Sequence, residues 1–269
     1  MNTQRPPRLV ATDLDGTLLR SDGTVSARTR AALSAAAAGG AEIVFVTARP
    51  PRAIAHIAEQ VGHLGTAICV NGAVTYELAR ERIVGTRPVA LDAATRMAET
   101  LAARLPGVGF AVETGIRVIA ATGFGPRWDH DHRHVVVPTV SDVLRLAESI
   151  AKLFVWSADH HADPLLELAR AAAAEHGECT HSGGSGLVEI SAVGVSKAST
   201  LAAYCAARGI APDEVVAFGD MPNDLDVLGW AGAAYAMANA HPAVLAATPR
   251  RAGTNDDDGV ARVLERLFA

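Results

Sequence analysis

The 269-residue chain has little that would place it outside an aqueous, reducing compartment. It contains only three cysteines, Cys69, Cys179 and Cys205, in no paired spacing. That favours reduced thiols in a cytoplasm over a disulfide framework or a thiolate zinc site. No apolar stretch approaches the length of a membrane span, and the start, Met1 to Pro7, lacks the apolar centre of a signal peptide. There is no excess of positive charge: the net charge is −5, which gives no electrostatic footprint for nucleic acid or an anionic membrane. Aromatic residues make up only 4% of the chain, so the hydrophobic 49% is carried by alanine and aliphatic residues, as in helices packed on strands. Internal repeats and low-complexity linkers are also lacking. At this length two domains are expected.

What is present is a series of polar clusters, each at the end of an apolar run. Asp13-Leu14-Asp15-Gly16-Thr17 follows Leu9-Val10-Ala11, and Thr47 follows Ile43 to Val46. Lys197 follows Gly194-Val195-Ser196, and Gly219-Asp220-Met221-Pro222-Asn223-Asp224 follows Val215 to Phe218. Apolar runs of strand length alternate with alanine-rich helical segments, the pattern of an α/β fold with a Rossmann-like parallel sheet and helices on both faces. Ligands of such sheets bind beyond the carboxyl ends of the strands, where these clusters stand.

Paired carboxylates, a hydroxyl, an ammonium and a second acidic loop are the groups needed for phosphoryl transfer through an aspartyl phosphate. Asp13 is the candidate nucleophile. Asp15, kept protonated by its neighbours, is the candidate acid for the leaving alkoxide and then the base for the water that opens the intermediate. A carboxylate is a weak nucleophile, so a cation on the phosphoryl oxygens is expected. Mg²⁺ fits because it prefers hard oxygen ligands and needs only one or two protein carboxylates. Asp13 and Asp220 are the expected carboxylate ligands, Asp15 the backbone carbonyl ligand and Asp224 a further member of the metal set. Thr47, Lys197 and Asn223 would hold the remaining phosphoryl oxygens.

Each cluster alone has a plainer reading. Asp-x-Asp-Gly is often a turn or a calcium loop, but an EF-hand would need acidic residues where Thr17 and Thr24 stand. A single Thr, Lys or Gly-Asp is more often a cap or a solvated charge. Their joint order after successive strands reverses that preference.

These residues resemble the haloacid dehalogenase superfamily of phosphatases, in its Cof-type branch with a large C2-type cap inserted after the second motif. Asp13 to Leu19 looks like the first motif, Thr47 the second, Lys197 the third, and Gly219-Asp220 with Asn223-Asp224 the fourth. Asn71-Gly72-Ala73, Val188-Glu189-Ile190 and Thr254-Asn255 through Gly259-Val260 match further, so the resemblance spans nearly the whole chain. Ala48 departs from the branch, where glycine is usual. The resemblance implies a core of residues 1–81 and 189–269 and an inserted α+β cap of residues 82–188 that closes over the site and selects the leaving group. It also implies a Mg²⁺-dependent phosphatase of sugar phosphates or phosphorylated cofactors such as pyridoxal phosphate or flavin mononucleotide, acting as a monomer or homodimer. Asn71 and Gly72 are carried over as substrate-binding positions. The rivals are a sugar phosphomutase, which returns the phosphoryl group to the sugar, and a non-catalytic binding protein of the same fold, which intact motifs disfavour.

Within the insertion, helices are expected at 91–104, 140–148 and 163–176 and strands at 108–112, 116–120 and 151–156. The run Trp128 to His134 reads as a solvated loop or partner-facing strand rather than a metal cluster. Ser182 to Gly186 reads as a turn, because the Lys-Ser/Thr of a P-loop is absent. Tyr76, Arg127, Trp128 and His132 are candidate specificity positions.

Overall fold

The computed structural model describes residues 6–125, 134–173, 175–180 and 186–268. The first apolar run forms strand β1, Leu9–Thr12, with every residue buried. Helix α1, Ala27–Ala38, is capped by Ser26, whose hydroxyl accepts the Thr29 N–H at 2.9 Å, and gives way at Gly39 and Gly40. Strand β2, Glu42–Val46, is followed by a short 3₁₀ turn at Pro51–Ala53 and helix α2, Ala55–Gln60. Strands β3, Thr66–Cys69, β4, Val74–Glu77, and β5, Arg82–Thr86, complete the first part of the chain.

The middle of the chain contributes strands β6, Gly109–Glu113, β7, Val118–Ala121, β8, His134–Val137, β9, Lys152–Trp156, β10, Glu178–Thr180, and β11, Leu187–Ser191. Its helices are α3, Leu91–Arg104, α4, Val140–Leu146, and α5, Ala162–Ala173. The six strands form one sheet in the order β10-β11-β9-β6-β7-β8. Successive residues of β9 alternate between its two faces, as the pleat requires. Leu153 and Val155 join Val112, Ile190 and the apolar sides of α3 and α5 in one core, while Phe154 packs with Ala111, Val118 and Ala120 in another.

The chain then returns through α6, Lys197–Ala206, β12, Val215–Gly219, α7, Leu225–Trp230, β13, Ala233–Ala236, α8, Pro242–Ala247, and α9, Gly259–Leu267. These strands join the first five in a seven-stranded sheet ordered β13-β12-β1-β2-β3-β4-β5. Pairing is parallel from β13 through β3 and antiparallel between β3 and β4. Thus β1 lies between β12 and β2, with Leu9 opposite Val215 on one side and Glu42 on the other. This alignment brings three of the polar clusters to one edge.

The chain divides into two compact units, Met1–Gly85 with Ser196–Ala269, and Thr86–Val195. The sequence boundaries at 82 and 188 fall beside β5, which completes the seven-stranded sheet, and within β11, which belongs to the six-stranded one. Strand β5 escaped the sequence reading because most of its side chains are exposed, so no apolar run marks it. Among the described residues, no helix is long and apolar enough to cross a membrane. Residues 128–133 of the histidine-rich run, Arg127 and residues 182–185 of the glycine-serine run lie outside the described residues.

Candidate active site

The first motif leaves β1 directly into an irregular turn. Asp15 (φ −73°, ψ 123°) and Gly16 (φ 73°, ψ −1°) have the dihedral angles of a type II turn, and the Leu19 N–H reaches back to the Leu14 carbonyl at 2.8 Å. Glycine is required at position 16 for two reasons. Its φ is positive, and a Cβ there would stand 2.4 Å from Asp220 Oδ2.

Asp13 is buried at the end of β1, with its N–H bonded to the Phe218 carbonyl of β12 at 3.1 Å. Lys197 is the first residue of α6, held there by a reciprocal cap. Ser196 Oγ accepts the Ser199 N–H at 3.1 Å, and Ser199 Oγ accepts the Ser196 N–H at 3.0 Å. Only 2% exposed, the Lys197 ammonium donates to Asp13 Oδ1 at 2.7 Å and to Asp224 Oδ1 at 2.8 Å. The other Asp224 oxygen accepts the N–H groups of Asp220, at 3.1 Å, and Met221, at 3.0 Å, closing the fourth motif on itself. Asp220 takes the Thr17 hydroxyl at 2.7 Å. Asp13, Asp220 and Asp224 thus form a buried cluster whose carboxylate oxygens lie within 4.8 Å of one another.

Electrostatics follow from that crowding. Burial raises Asp13 to about 8; Lys197 opposes the shift and Asp224 adds to it. Burial likewise raises Asp220 to about 6, with the Thr17 hydrogen bond opposing and Asp224 adding. For Lys197, burial disfavours the charge, but Asp13 and Asp224 outweigh it and hold the ammonium above its ordinary range. Three carboxylates against one ammonium leave two negative charges when all are ionised. A hard dication with oxygen ligands fits this donor set.

Thr47, buried at the end of β2, accepts the Arg49 N–H on its hydroxyl at 3.0 Å. The next loop is stitched to it: the Val70 N–H donates to the Arg49 carbonyl and the Asn71 N–H to the Thr47 carbonyl. Val70 and Asn71 both have left-handed backbones, at φ 54° and 53°. For a β-branched valine this conformation is strained, and such strain concentrates at functional sites. Asn223 Nδ2 lies 3.5 Å from Asn71 Oδ1, so two expected substrate-binding amides face each other. Gly72 has a packing reason to be glycine: a Cβ would stand 2.3 Å from the Ser196 carbonyl oxygen, and its own carbonyl accepts the Thr200 hydroxyl at 2.8 Å.

Asp15 stands apart from the buried cluster, paired with Arg49. Arg49 forks onto it, with Nε 2.7 Å from Oδ2 and Nη2 2.5 Å from Oδ1, so both oxygens are already occupied as acceptors. An open cavity of about 590 Å³ lies against Asp15, Arg49, Asn239 and Asp256. Sequence reasoning missed Asn239, which donates to the Gly16 carbonyl at 2.8 Å, because nothing local distinguishes an asparagine after β13. Tyr76 lies half-buried in β4, in the same unit as these residues.

Residues 10–264 match the family of haloacid dehalogenase-like hydrolases. The chain is similar to pyridoxal phosphate phosphatase YbhA of Escherichia coli, at 29% identity over 96% of this chain and 97% of that one. It is similar to a phosphoglycolate phosphatase of Halorubrum lacusprofundi at 31% identity, with 97% of each chain covered. In structure it superposes on a haloacid dehalogenase-like hydrolase from Bacteroides thetaiotaomicron with a TM-score of 0.80, at 24% identity, over 97% of this chain and all of that one. The chain belongs to the haloacid dehalogenase-like hydrolases and is a phosphatase of that family.

Proposed function

We propose that this phosphatase hydrolyses small phosphomonoesters through a phosphorylated Asp13, with Mg²⁺ held at the buried carboxylates. The observation that carries the reading is the Lys197 ammonium, which bridges Asp13 and Asp224 beside Asp220 at the ends of β1 and β12. Asp13 and Asp220 are the ligands we assign, with the Asp15 carbonyl. Asp224 belongs to the set but is already engaged by Lys197 and two backbone N–H groups. When bound, the cation neutralises the cluster and draws charge from the phosphoryl oxygens.

In the first step an Asp13 oxygen attacks phosphorus in line, the bond from phosphorus to the leaving oxygen breaks, and Asp15 gives that oxygen a proton. In the second, water attacks the acyl phosphate, the bond between phosphorus and the Asp13 oxygen breaks, and Asp15 takes the proton from the water. Asp15 must release one arm of the Arg49 fork to carry the proton, while the other arm still orients it. Thr47, Lys197 and the Asn71–Asn223 pair are assigned to the phosphoryl oxygens, where fixed donors act without reorganisation.

Pyridoxal phosphate and phosphoglycolate, named for the two relatives, are the first compounds in the substrate class we propose, followed by sugar phosphates and flavin mononucleotide. The choice among them is assigned to the inserted unit. The test is phosphate release from a panel of these esters, with Mg²⁺ or EDTA, for the wild type and Asp13→Asn. The reading requires release that needs Mg²⁺ and disappears in Asp13→Asn, together with acid-stable labelling of Asp13 after borohydride reduction of the trapped intermediate. Undiminished turnover by Asp13→Asn would overturn it.

A further inference from the structure

The turn that carries Asp15 is tied to segments more than two hundred residues away in sequence. Asn239 donates from Nδ2 to the Gly16 carbonyl at 2.8 Å, while its Oδ1 accepts the Asn255 backbone N–H at 3.1 Å. Asn255 donates from Nδ2 to the Leu19 carbonyl at 2.9 Å. Asp256 accepts both the Ser21 N–H, at 2.8 Å, and the Ser21 hydroxyl, at 2.6 Å, and Asp258 pairs with Arg20 at 2.9 Å. The turn is therefore held at Gly16 and again from Leu19 to Ser21.

The holding segment is itself stiff. Thr254 Oγ1 donates to Asp257 Oδ2 at 2.9 Å and accepts the Asp257 N–H at 3.1 Å, and the Gly259 N–H returns to the Thr254 carbonyl at 2.9 Å. Gly253 and Gly259 approach so closely that a Cβ on Gly259 would stand 2.3 Å from the Gly253 carbonyl oxygen. Helix α9, which follows, is anchored by buried Val260, Val263 and Leu264.

An amide engaged at both ends has one orientation. Turned over, Asn239 would set its Nδ2 against the Asn255 N–H and its oxygen against the Gly16 carbonyl. It therefore fixes the peptide immediately after Asp15–Gly16, and with it the direction in which the Asp15 side chain leaves the backbone. Asn239 is itself exposed, so one hydrogen bond from it adds little to stability.

We infer that Asn239, backed by Asn255, is a positioning residue that aims Asp15 at the leaving-group oxygen. The inference rests on Asp15 being the proton donor. As the ester bond breaks, an alkoxide needs that proton, whereas 4-nitrophenolate leaves with little help. Misdirecting the donor therefore slows alkyl esters selectively, which a general loosening of the fold would not do.

The test is leaving-group release in a single turnover with excess Mg²⁺-loaded enzyme, which isolates the first step. It compares the fastest alkyl phosphate of the panel with 4-nitrophenyl phosphate, for wild type, Asn239→Asp, Asn239→Ala and Asp15→Asn. The expected result is a fall of about tenfold or more on the alkyl ester for both Asn239 variants, and of under about threefold on the nitrophenyl ester. Asp15→Asn should show the same selectivity at about 10²–10⁴-fold. Selectivity in Asp15→Asn without it in either Asn239 variant overturns the positioning role alone. No selectivity in Asp15→Asn overturns the donor assignment itself. Thermal melting of each variant identifies any loss that comes from unfolding.

Discussion

Arg49 and Asp15 meet through two guanidinium nitrogens and both carboxylate oxygens, at 2.7 and 2.5 Å, beside a cluster whose carboxylates are buried. The Asp15 side chain is 57% exposed, so the pair lies at the surface and its stabilising effect is small, about 0–1 kcal/mol. Its consequence is directional: it parks the proposed donor where both oxygens are committed.

Replacing Arg49 should therefore affect rate far more than stability. Arg49→Ala is expected to lower kcat about tenfold, because an exposed Asp15 then samples many orientations, while the melting temperature moves by less than about 3 °C. Arg49→Lys should recover little, since an ammonium cannot reproduce the fork. Paired measurements of kcat and thermal melting check this; an unchanged kcat in Arg49→Ala would show that the fork has no positioning effect.

Two glycines of the same loop separate steric from conformational demands. Gly16→Ala places a Cβ 2.4 Å from Asp220 Oδ2, whereas Gly23, with φ 79°, faces open space. Gly16→Ala is expected to reduce kcat at least 100-fold and to raise the Mg²⁺ concentration needed for activity by displacing Asp220. Gly23→Ala should cost about 1 kcal/mol of stability from its positive φ, with kcat nearly intact. Mg²⁺ titration of activity for both variants decides the matter, and equal losses in the two would contradict the steric account.

The buried carboxylates should make the metal-free protein sensitive to pH. Asp13 and Asp220 rise from an ordinary value of 3.8 to about 8 and about 6. A carboxyl raised on folding contributes its stability fully below the unfolded pKa and loses it as pH rises through the folded one. The melting temperature in EDTA is thus expected to fall between pH 5 and pH 8, both groups contributing up to about pH 6 and Asp13 alone above it. Surface carboxylates held low, such as Asp142 and Glu265, lose their contribution only at more acidic pH and do not enter this window. Mg²⁺ should raise the melting temperature more at pH 8 than at pH 5. A flat EDTA profile would count against the charge crowding.

In the inserted unit, Lys152 and Glu189 form a buried ion pair between β9 and β11. Removing the ammonium takes away the cation that faces the buried Glu189 carboxylate, so Lys152→Met should destabilise the protein by about 3–5 kcal/mol. Adding Glu189→Leu should restore most of that loss. Urea denaturation of the single and double variants measures the coupling, and a double variant no more stable than the single one would locate the cost elsewhere.

The unequal legibility of these features has physical causes. Strands β1, β2, β3 and β12 are continuous apolar runs because parallel strands are buried on both faces, and the polar residue ending each run stands out. Helix α3 matches its expected bounds, 91–104, because its apolar residues repeat along one face. Strands β4, β5 and β13 went unread, since exposed or half-buried side chains give a weaker pattern. The expected helix at 140–148 ends at Leu146, and that at 163–176 is described over Ala162–Ala173.

The sequence by itself determined the identities of the reactive groups and their positions at strand ends, since local alternation of apolar and polar residues follows from burial. Tertiary structure alone decided which groups meet: Lys197 between Asp13 and Asp224, Arg49 across Asp15, and Asn239 on Gly16. Each such contact joins residues far apart in the chain, so its geometry depends on strand order, loop closure and the direction of single side chains, none of which leaves a periodic trace in the sequence.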